Sequence, residues 1–180
     1  MILSNHFLVA MPSAQTDLFT NSVVYITEHS NVSGTVGVII NKPLGKTLKS
    51  AFQDIDLSEY NPKWGENPLY LGGPISSDNG FVLHRLIDTP GKLFELTNNK
   101  NVLDEIATSN FRDNLFVSAG YCSWSALQLE NEIVNNHWLV VKADTSLIFD
   151  VDPLNRYIEA LKLAGIRDIS RLYCGGEVFA

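Results

Sequence analysis

Short apolar runs dominate the pattern of hydrophobic and polar positions along the chain. The runs are rich in β-branched and aromatic residues, a composition typical of strands. They are FLVA (7–10), VVYIT (23–27), VGVII (36–40), FVLHRL (81–86), LFEL (93–96), LFVS (115–118), WLVV (138–141) and LIFDV (147–151). The pattern therefore predicts a protein in which strands dominate.

Other segments repeat apolar residues every three or four positions, which predicts amphipathic helices. They are LKSAFQDI (48–55), VLDEIATS (102–109), ALQLENEIVNN (126–136) and PLNRYIEALKLAG (153–165). The segment SNVSG (30–34) connects the strand runs VVYIT and VGVII. It is too short for a crossover helix, so a hairpin is expected there. The pattern predicts an α+β protein with a mixed or antiparallel sheet and three or four helices.

Length and charge narrow the class of protein. A chain of 180 residues has room for one domain with a substantial core, so we expect a single domain over residues 1–180. The net charge of -7 and the absence of any basic run disfavour direct DNA binding. The apolar run at 7–11 is too short for a signal peptide, and no segment reaches the length of a membrane span. We expect a cytoplasmic protein without membrane contact.

The stretch GVIINKPLGKT (37–47) raises the question of a phosphate-binding loop, because a strand is followed by Gly-Lys-Thr. The P-loop pattern needs a glycine five residues before Gly45, and that position is Ile40. Pro43 also supplies no backbone N–H to a phosphate. We predict no nucleotide site here, and we expect Lys46 to be solvated and Thr47 to cap the next helix.

Cysteines and histidines do not form a recognisable metal or catalytic motif. Cys122 and Cys174 are the only cysteines and have no zinc-type spacing, and we do not expect a disulfide between them. Cys122 precedes a predicted helix, yet we favour a buried structural thiol over a reactive one. His29 could meet His84 across a sheet, but we favour structural histidines. The hydrolase pattern G-x-S-x-G is absent. We predict no metal and no cofactor.

Gly72, Gly73 and Pro74 follow a strand in YLGGPIS. Two residues without Cβ permit positive φ or a close backbone approach. We favour a simple turn over an anion-binding nest. If the Asn-Lys-Pro loop (41–43) lay nearby, the two loops would form the rim of a polar pocket.

The helix near 126–136 carries an unusual carboxylate. Ser125 followed by Gln128 matches a capping box, which predicts the helix start. In a helical projection Glu130 falls inside the apolar arc, whereas Glu132 lies on the opposite, polar side. A buried carboxylate needs partners, so we favour a hydrogen-bonded structural network around Glu130 over a functional cleft. The apolar arc is formed by Leu127, Leu129, Ile133 and Val134.

Several blocks follow one another along nearly the whole chain: NHFLVAMP (5–12), VVYITEH (23–29), GVIINKP (37–43), LGGPIS (71–76) with GFVLH (80–84), and AGYCSWSALQLENEI (119–133) followed by Trp138. Together they resemble the AlgH/YqgE family of bacterial proteins. Two positions depart from the family pattern. Cys122 stands where a small residue such as Ala or Gly is usual, and Ala126 stands where Gly commonly precedes Gln-Leu-Glu.

The resemblance implies a single α+β domain with a coiled mixed sheet, a cytosolic bacterial location and no established enzymatic activity. It also implies the label of transcriptional regulator, although no helix-turn-helix signature is visible. The positions that the resemblance marks as a ligand or interaction site are Asn41, Lys42, Pro43, Gly72, Gly73, Pro74, His84, Trp124, Gln128 and Glu130.

Two functions stay open at this point. The first is a non-enzymatic regulatory or adaptor protein that acts through an unknown protein partner and reaches transcription indirectly. The alternative is a small-ligand or anion-binding protein, or a weak hydrolase, with a polar pocket between the two loops at 41–43 and 72–74. A dimer also stays open, because aromatic residues such as Tyr60 and Trp64 could be exposed.

Overall fold

The computed structural model describes residues 2–13, 17–51, 65–86, 89–99, 101, 115–168 and 170–173. The strands are β1 (His6–Ala10), β2 (Val23–Ser30), β3 (Gly34–Ile39), β4 (Pro43–Thr47), β5 (Pro68–Leu71), β6 (Ile75–Arg85), β7 (Phe94–Thr97), β8 (Phe116–Trp124) and β9 (Trp138–Lys142). The helices are α1 (Leu48–Ala51), α2 (Gln128–Val134), α3 (Ser146–Phe149), α4 (Arg156–Leu163) and α5 (Ser170–Tyr173).

The strands form one curled mixed sheet in the order β4-β5-β8-β3-β2-β1-β9, and β6 pairs with both β8 and β7. β5 and β8 run parallel, whereas the other pairs are antiparallel. The long strand β8 curls the sheet, because residues 116–121 pair with β5 and β6 while residues 122–124 pair with β3. The predicted α+β class, mixed sheet and β2–β3 hairpin are confirmed.

Both faces of the central strands are covered. Residues of β1 and β2 alternate between two apolar clusters, with Phe7 and Tyr25 on one face and Leu8 and Val24 on the other. α3 and α4 cover the first face, and α2 covers the second. This double burial explains why the sequence shows continuous apolar runs here instead of alternation.

Arg156 fixes α4 to the sheet. Its guanidinium is buried and donates hydrogen bonds to the backbone oxygens of Val151 (2.9 Å) and Ile40, and to the Tyr70 hydroxyl (3.3 Å). Burial lowers the Arg156 pKa, and Tyr70 opposes that shift. The contact holds the end of β3, from which residues 41–43 follow.

Some sequence predictions on secondary structure were wrong. The run LIFDV (147–151) is not a strand, because α3 occupies Ser146–Phe149. The Asp144 carboxylate accepts hydrogen bonds from the Ser146 amide (3.0 Å) and hydroxyl (2.8 Å), and this turn leads into the helix. β4 was not predicted, and the helix predicted at 102–109 lies outside the described residues.

The Gly-Lys-Thr segment is a strand end and not a phosphate loop. Gly45, Lys46 and Thr47 belong to β4, which pairs with β5. Lys46 is exposed, and the Thr47 hydroxyl accepts a hydrogen bond from the Ser50 amide at 3.3 Å. The expected solvation of Lys46 and capping by Thr47 are confirmed.

The helices in the described part of the chain include none with the length and apolar character that a membrane span requires.

Candidate functional site

A cleft of about 650 Å³ lies between the C-terminal end of β8, α2 and the segment that precedes β2. Its walls combine aromatic rings with hydroxyl, amide, imidazole and carboxylate groups. They are formed by Ser13, Phe19, Pro74, Cys122, Ser123, Trp124, Gln128, Glu132, His137 and Trp138. None of these ten described residues is a lysine or an arginine.

The Glu132 side chain accepts three hydrogen bonds within the cleft. Its Oε2 accepts hydrogen bonds from the indole Nε1 atoms of Trp124 (3.0 Å) and Trp138 (2.7 Å). Its Oε1 accepts a third from Gln128 Nε2 at 3.0 Å. The Gln128 Oε1 in turn accepts hydrogen bonds from the Ser125 amide (3.0 Å) and hydroxyl (3.1 Å). These bonds join β8, α2 and β9 around one carboxylate.

Three aromatic rings form the apolar wall of the cleft. Trp124 and Trp138 meet edge to face with their ring centroids 6.0 Å apart. Phe19 stacks on Trp124 at 6.4 Å and meets the edge of Trp138 at 5.3 Å. Phe19 lies in the segment before β2, so the position of that segment determines whether the wall is complete.

Asn41 and Lys42 hold that segment in place from behind the cleft. The Asn41 side chain donates to the Asn21 carbonyl (2.8 Å) and accepts from the Val23 amide (2.8 Å). The Lys42 ammonium donates to the carbonyl oxygen of Leu18, the residue next to Phe19. Partial burial lowers the pKa of Lys42. Both side chains therefore act through the loop that carries Phe19, and neither lines the cleft.

The Gly-Gly-Pro turn packs directly against β8. A Cβ on Gly72 would lie 2.2 Å from the Gly120 carbonyl oxygen, so only glycine permits this approach. The Gly72 amide donates to Ala119 O at 2.8 Å, which leaves it no hydrogen for an anion. Pro74 then reaches the cleft wall.

The loops at 41–43 and 72–74 are neighbours, and they meet through backbone hydrogen bonds. Leu71 N–H donates to Lys42 O at 2.8 Å, and Ile39 N–H donates to Gly72 O at 2.8 Å. Pro43, the last residue of the first loop, is the exposed first residue of β4. Within the described part of the chain, the cleft takes Pro74 from these loops and no residue of 41–43.

Cys122 is a free, buried thiol at the base of the cleft. Its Sγ donates to the Gly72 carbonyl at 3.3 Å. Burial raises its pKa far above the ordinary value, which opposes formation of the thiolate. The preference for a structural thiol therefore agrees with the geometry.

Two marked residues lie away from the cleft in separate His–Glu pairs. Glu130 contacts His29 at 3.5 Å, and His84 contacts Glu95 at 3.7 Å across β6 and β7. Lys92 bridges Glu95 to Glu28. Among the described residues, no contact joins His29 to His84. No group of three or more metal-ligating side chains occurs among the described residues.

The structure thus separates the marked residues into three groups. Pro74, Trp124 and Gln128 line the cleft. Asn41, Lys42, Pro43, Gly72 and Gly73 lie behind it or beside its supporting loops, and His84 and Glu130 lie elsewhere. Their role in ligand binding or interaction stays a prediction.

Sequence reasoning missed Glu132 and Phe19. Glu132 was placed on the solvated side of the helix, although its spacing of four residues from Gln128 indicated that the two side chains could meet. No local signal indicates Phe19, because its contacts with Trp124 and Trp138 join distant parts of the chain.

Comparisons with known proteins agree with this architecture. Residues 7–168 match the AlgH-like family. The UPF0301 protein of Variovorax paradoxus (strain S110) is 40% identical over 182 residues, which covers 92% of this chain and 90% of that protein. The UPF0301 protein of Coxiella burnetii (strain RSA 493 / Nine Mile phase I) is 37% identical over 171 residues, with 95% and 87% covered.

Solved structures extend the agreement to the fold. The solution structure of the AlgH protein from Pseudomonas aeruginosa superposes with a TM-score of 0.74 at 32% identity, and the match covers 100% of this chain and 97% of that one. Protein DIP2367 from Corynebacterium diphtheriae shares the fold at 23% identity, with a TM-score of 0.65 over 86% and 85% of the chains. The chain therefore belongs to the AlgH-like family.

Proposed function

We propose that this protein is a non-enzymatic, cytoplasmic adaptor that binds another protein through the cleft and influences transcription only indirectly. The observation that carries the proposal is the set of hydrogen bonds that Glu132 accepts. Neutral donors engage both of its oxygens, and two of these donors are the indoles that form the wall. Such a carboxylate is built into a recognition surface.

Two groups with catalytic potential at this cleft, the Glu132 carboxylate and the Cys122 thiol, are held in states that oppose reaction. A general base needs lone pairs free to face the substrate, whereas hydrogen bonds already occupy three of the lone pairs of Glu132. A cysteine nucleophile needs a lowered pKa, whereas burial raises that of Cys122. Both observations favour binding over turnover.

The dimensions and composition of the cleft suit a few side chains of a partner protein. Its volume of about 650 Å³ lies in the range of sites that enclose a small ligand or short segment. Tryptophan is enriched among the residues that dominate binding at protein interfaces. The net charge of -7 agrees with a protein partner in preference to DNA. A free thiol at Cys122 suits a reducing compartment.

The test fills the cleft without touching its buried walls. Ser123 is an exposed lining residue on β8, where tyrosine is well tolerated in a strand. Ser33 is an exposed serine that does not line the cleft, so Ser33→Tyr is the matched control. We expect affinity capture from bacterial extract to recover the same proteins with wild type and Ser33→Tyr, and to lose at least one with Ser123→Tyr. Equal recovery with all three proteins, or no recovery with any, would contradict the proposal.

A further inference from the structure

We infer that the cleft receives an arginine side chain of the partner protein, with the guanidinium held beside Glu132 against the indoles. The inference rests on the proposed function and names the chemistry of the partner. It follows from the charge of the cleft, from the geometry of its wall and from the absence of a counter-ion on the described walls.

The first argument is charge. The three donors to Glu132 are two indole N–H groups and one amide N–H, none of which is charged. They position the carboxylate and occupy three of its lone pairs, but they do not neutralise its negative charge. A cation stabilises a partly enclosed carboxylate beside aromatic rings more strongly than a neutral donor does.

The second argument is that no lysine or arginine in the part of the chain that the structure describes pairs with this charge. The ion pairs of the described lysines lie elsewhere, at Glu28, Glu95 and Glu159. No described residue that lines the cleft is a lysine or an arginine, and no described ion pair includes Glu132. The cleft therefore presents an uncompensated charge that a partner can complement.

The third argument selects arginine over lysine. Aromatic rings attract cations, and a planar guanidinium can stack on an indole while it donates hydrogen bonds in its own plane. Glu132 Oε1 accepts only one described side-chain hydrogen bond, so it retains a lone pair for a further donor. The lysine ammonium is more strongly hydrated and lacks the planar face. The volume of about 650 Å³ exceeds one side chain, so neighbouring residues of the partner segment also fit.

The test uses defined peptides and isotope-labelled protein. The probe is acetyl-Gly-Ala-Arg-Ala-Gly-amide, and its control replaces arginine by citrulline, which has the same shape and no charge. We expect the arginine peptide to shift the indole N–H signals of Trp124 and Trp138 saturably, with at least tenfold lower affinity for the citrulline peptide. Glu132→Gln keeps the carbonyl acceptor and loses the charge, so it should weaken arginine binding at least tenfold.

A matched pair of substitutions at the exposed rim tests the charge preference without changing the buried walls, so misfolding is not expected to affect the result. Ser123→Asp adds a negative charge and should bind the arginine peptide several-fold more tightly, whereas Ser123→Lys should bind it several-fold more weakly. Equal binding of arginine and citrulline peptides, or no difference between the two Ser123 variants, would overturn the inference. Equally tight binding of free N-acetyl-arginine amide would overturn the protein-segment source.

These outcomes are separable from the proposed function. If cleft-dependent capture persists while the peptides bind without charge preference, the adaptor proposal stands and the arginine inference fails. If Ser123→Tyr captures the same proteins as Ser33→Tyr, the adaptor proposal fails whatever the peptides do, and with it the protein-segment part of the inference.

Discussion

The imidazole Nε2 of His29 lies 3.5 Å from Oε1 of Glu130, and neither buried atom has a hydrogen-bond partner among the described residues. The His29 side chain is 2% exposed and that of Glu130 is 29% exposed. The other imidazole nitrogen, Nδ1, is fixed by Thr35 Oγ1 at 2.8 Å. The contact is the polar link between β2 and α2, the helix that also carries Glu132.

The His29–Glu130 contact predicts a specific loss of stability. Glu130→Ala removes the carboxylate that faces the buried imidazole nitrogen, so the free energy of unfolding should fall by about 1–2 kcal/mol. Glu130→Gln retains a polar neighbour and should lose less than half as much. Urea denaturation provides the measurement, and Asn131→Ala, an exposed change on the same helix, should stay within about 0.5 kcal/mol of wild type. Wild-type stability in Glu130→Ala would rule out a structural role for this pair.

Much of α2 could be predicted from its periodicity, but its exact face could not. The projection correctly placed Leu129 and Glu130 toward the interior. It wrongly placed Leu127 and Val134 there, since they are 53% and 79% exposed. The helix begins only at Gln128, after Leu127 adopts a φ of 61°, so residues before that point do not follow the helical period.

The Asn41-Lys42 pair shows a different limit of sequence reasoning. The pattern singled out these polar residues after an apolar strand, and a polar pocket was one of two interpretations that stayed open. Their partners, the Leu18 carbonyl and the backbone of Asn21 and Val23, lie about 20 residues away in the chain. Backbone groups carry no sequence signal, so only the folded structure could reveal that these side chains support the cleft.

Lys42 should matter more than its neighbour Lys46. Lys42→Ala removes the donor to the Leu18 carbonyl, so the free energy of unfolding should fall by about 1–2 kcal/mol and the contact between Phe19 and Trp124 should loosen. Urea denaturation and near-ultraviolet circular dichroism would report the two effects. Lys46 is exposed, and Lys46→Ala should stay within about 0.5 kcal/mol of wild type. Equal effects of the two substitutions would refute this role of Lys42.

The buried Cys122 thiol predicts a pH dependence of stability. Burial raises its pKa in the folded state, so the folded protein keeps a proton that the unfolded chain releases above about pH 8.5. The folded state then binds more protons than the unfolded state, and stability must fall as pH rises. In a Cys174→Ser background, the contribution between about pH 8 and pH 9.5 is a loss of roughly 1.4 kcal/mol or less.

The comparison protein for this experiment is Cys122→Ala in the same Cys174→Ser background. It lacks the ionising group, so its stability should decline less over the same pH interval. Folded protein should also resist thiol labelling until urea exposes Cys122. Rapid labelling of the folded protein at about pH 8 would show that the thiol is accessible and ionised, contrary to its burial.

Leu127 predicts a stabilising substitution. Its φ of 61° is left-handed, a conformation that costs a residue with a Cβ about 1 kcal/mol or more, and its side chain is 53% exposed. Leu127 directly precedes Gln-Leu-Glu, so the assignment of the preceding glycine of the family pattern to Ala126 was wrong. The positive φ of Leu127 gives a conformational reason for a glycine at that position. Leu127→Gly should raise the free energy of unfolding by about 0.5–1 kcal/mol, as measured by urea denaturation.

Ala126→Gly is the matched control. Ala126 is not among the described residues with positive φ, so this change should destabilise the protein by several tenths of a kcal/mol. If both glycine substitutions lowered stability equally, backbone strain at Leu127 would not be the reason for the helix start at Gln128.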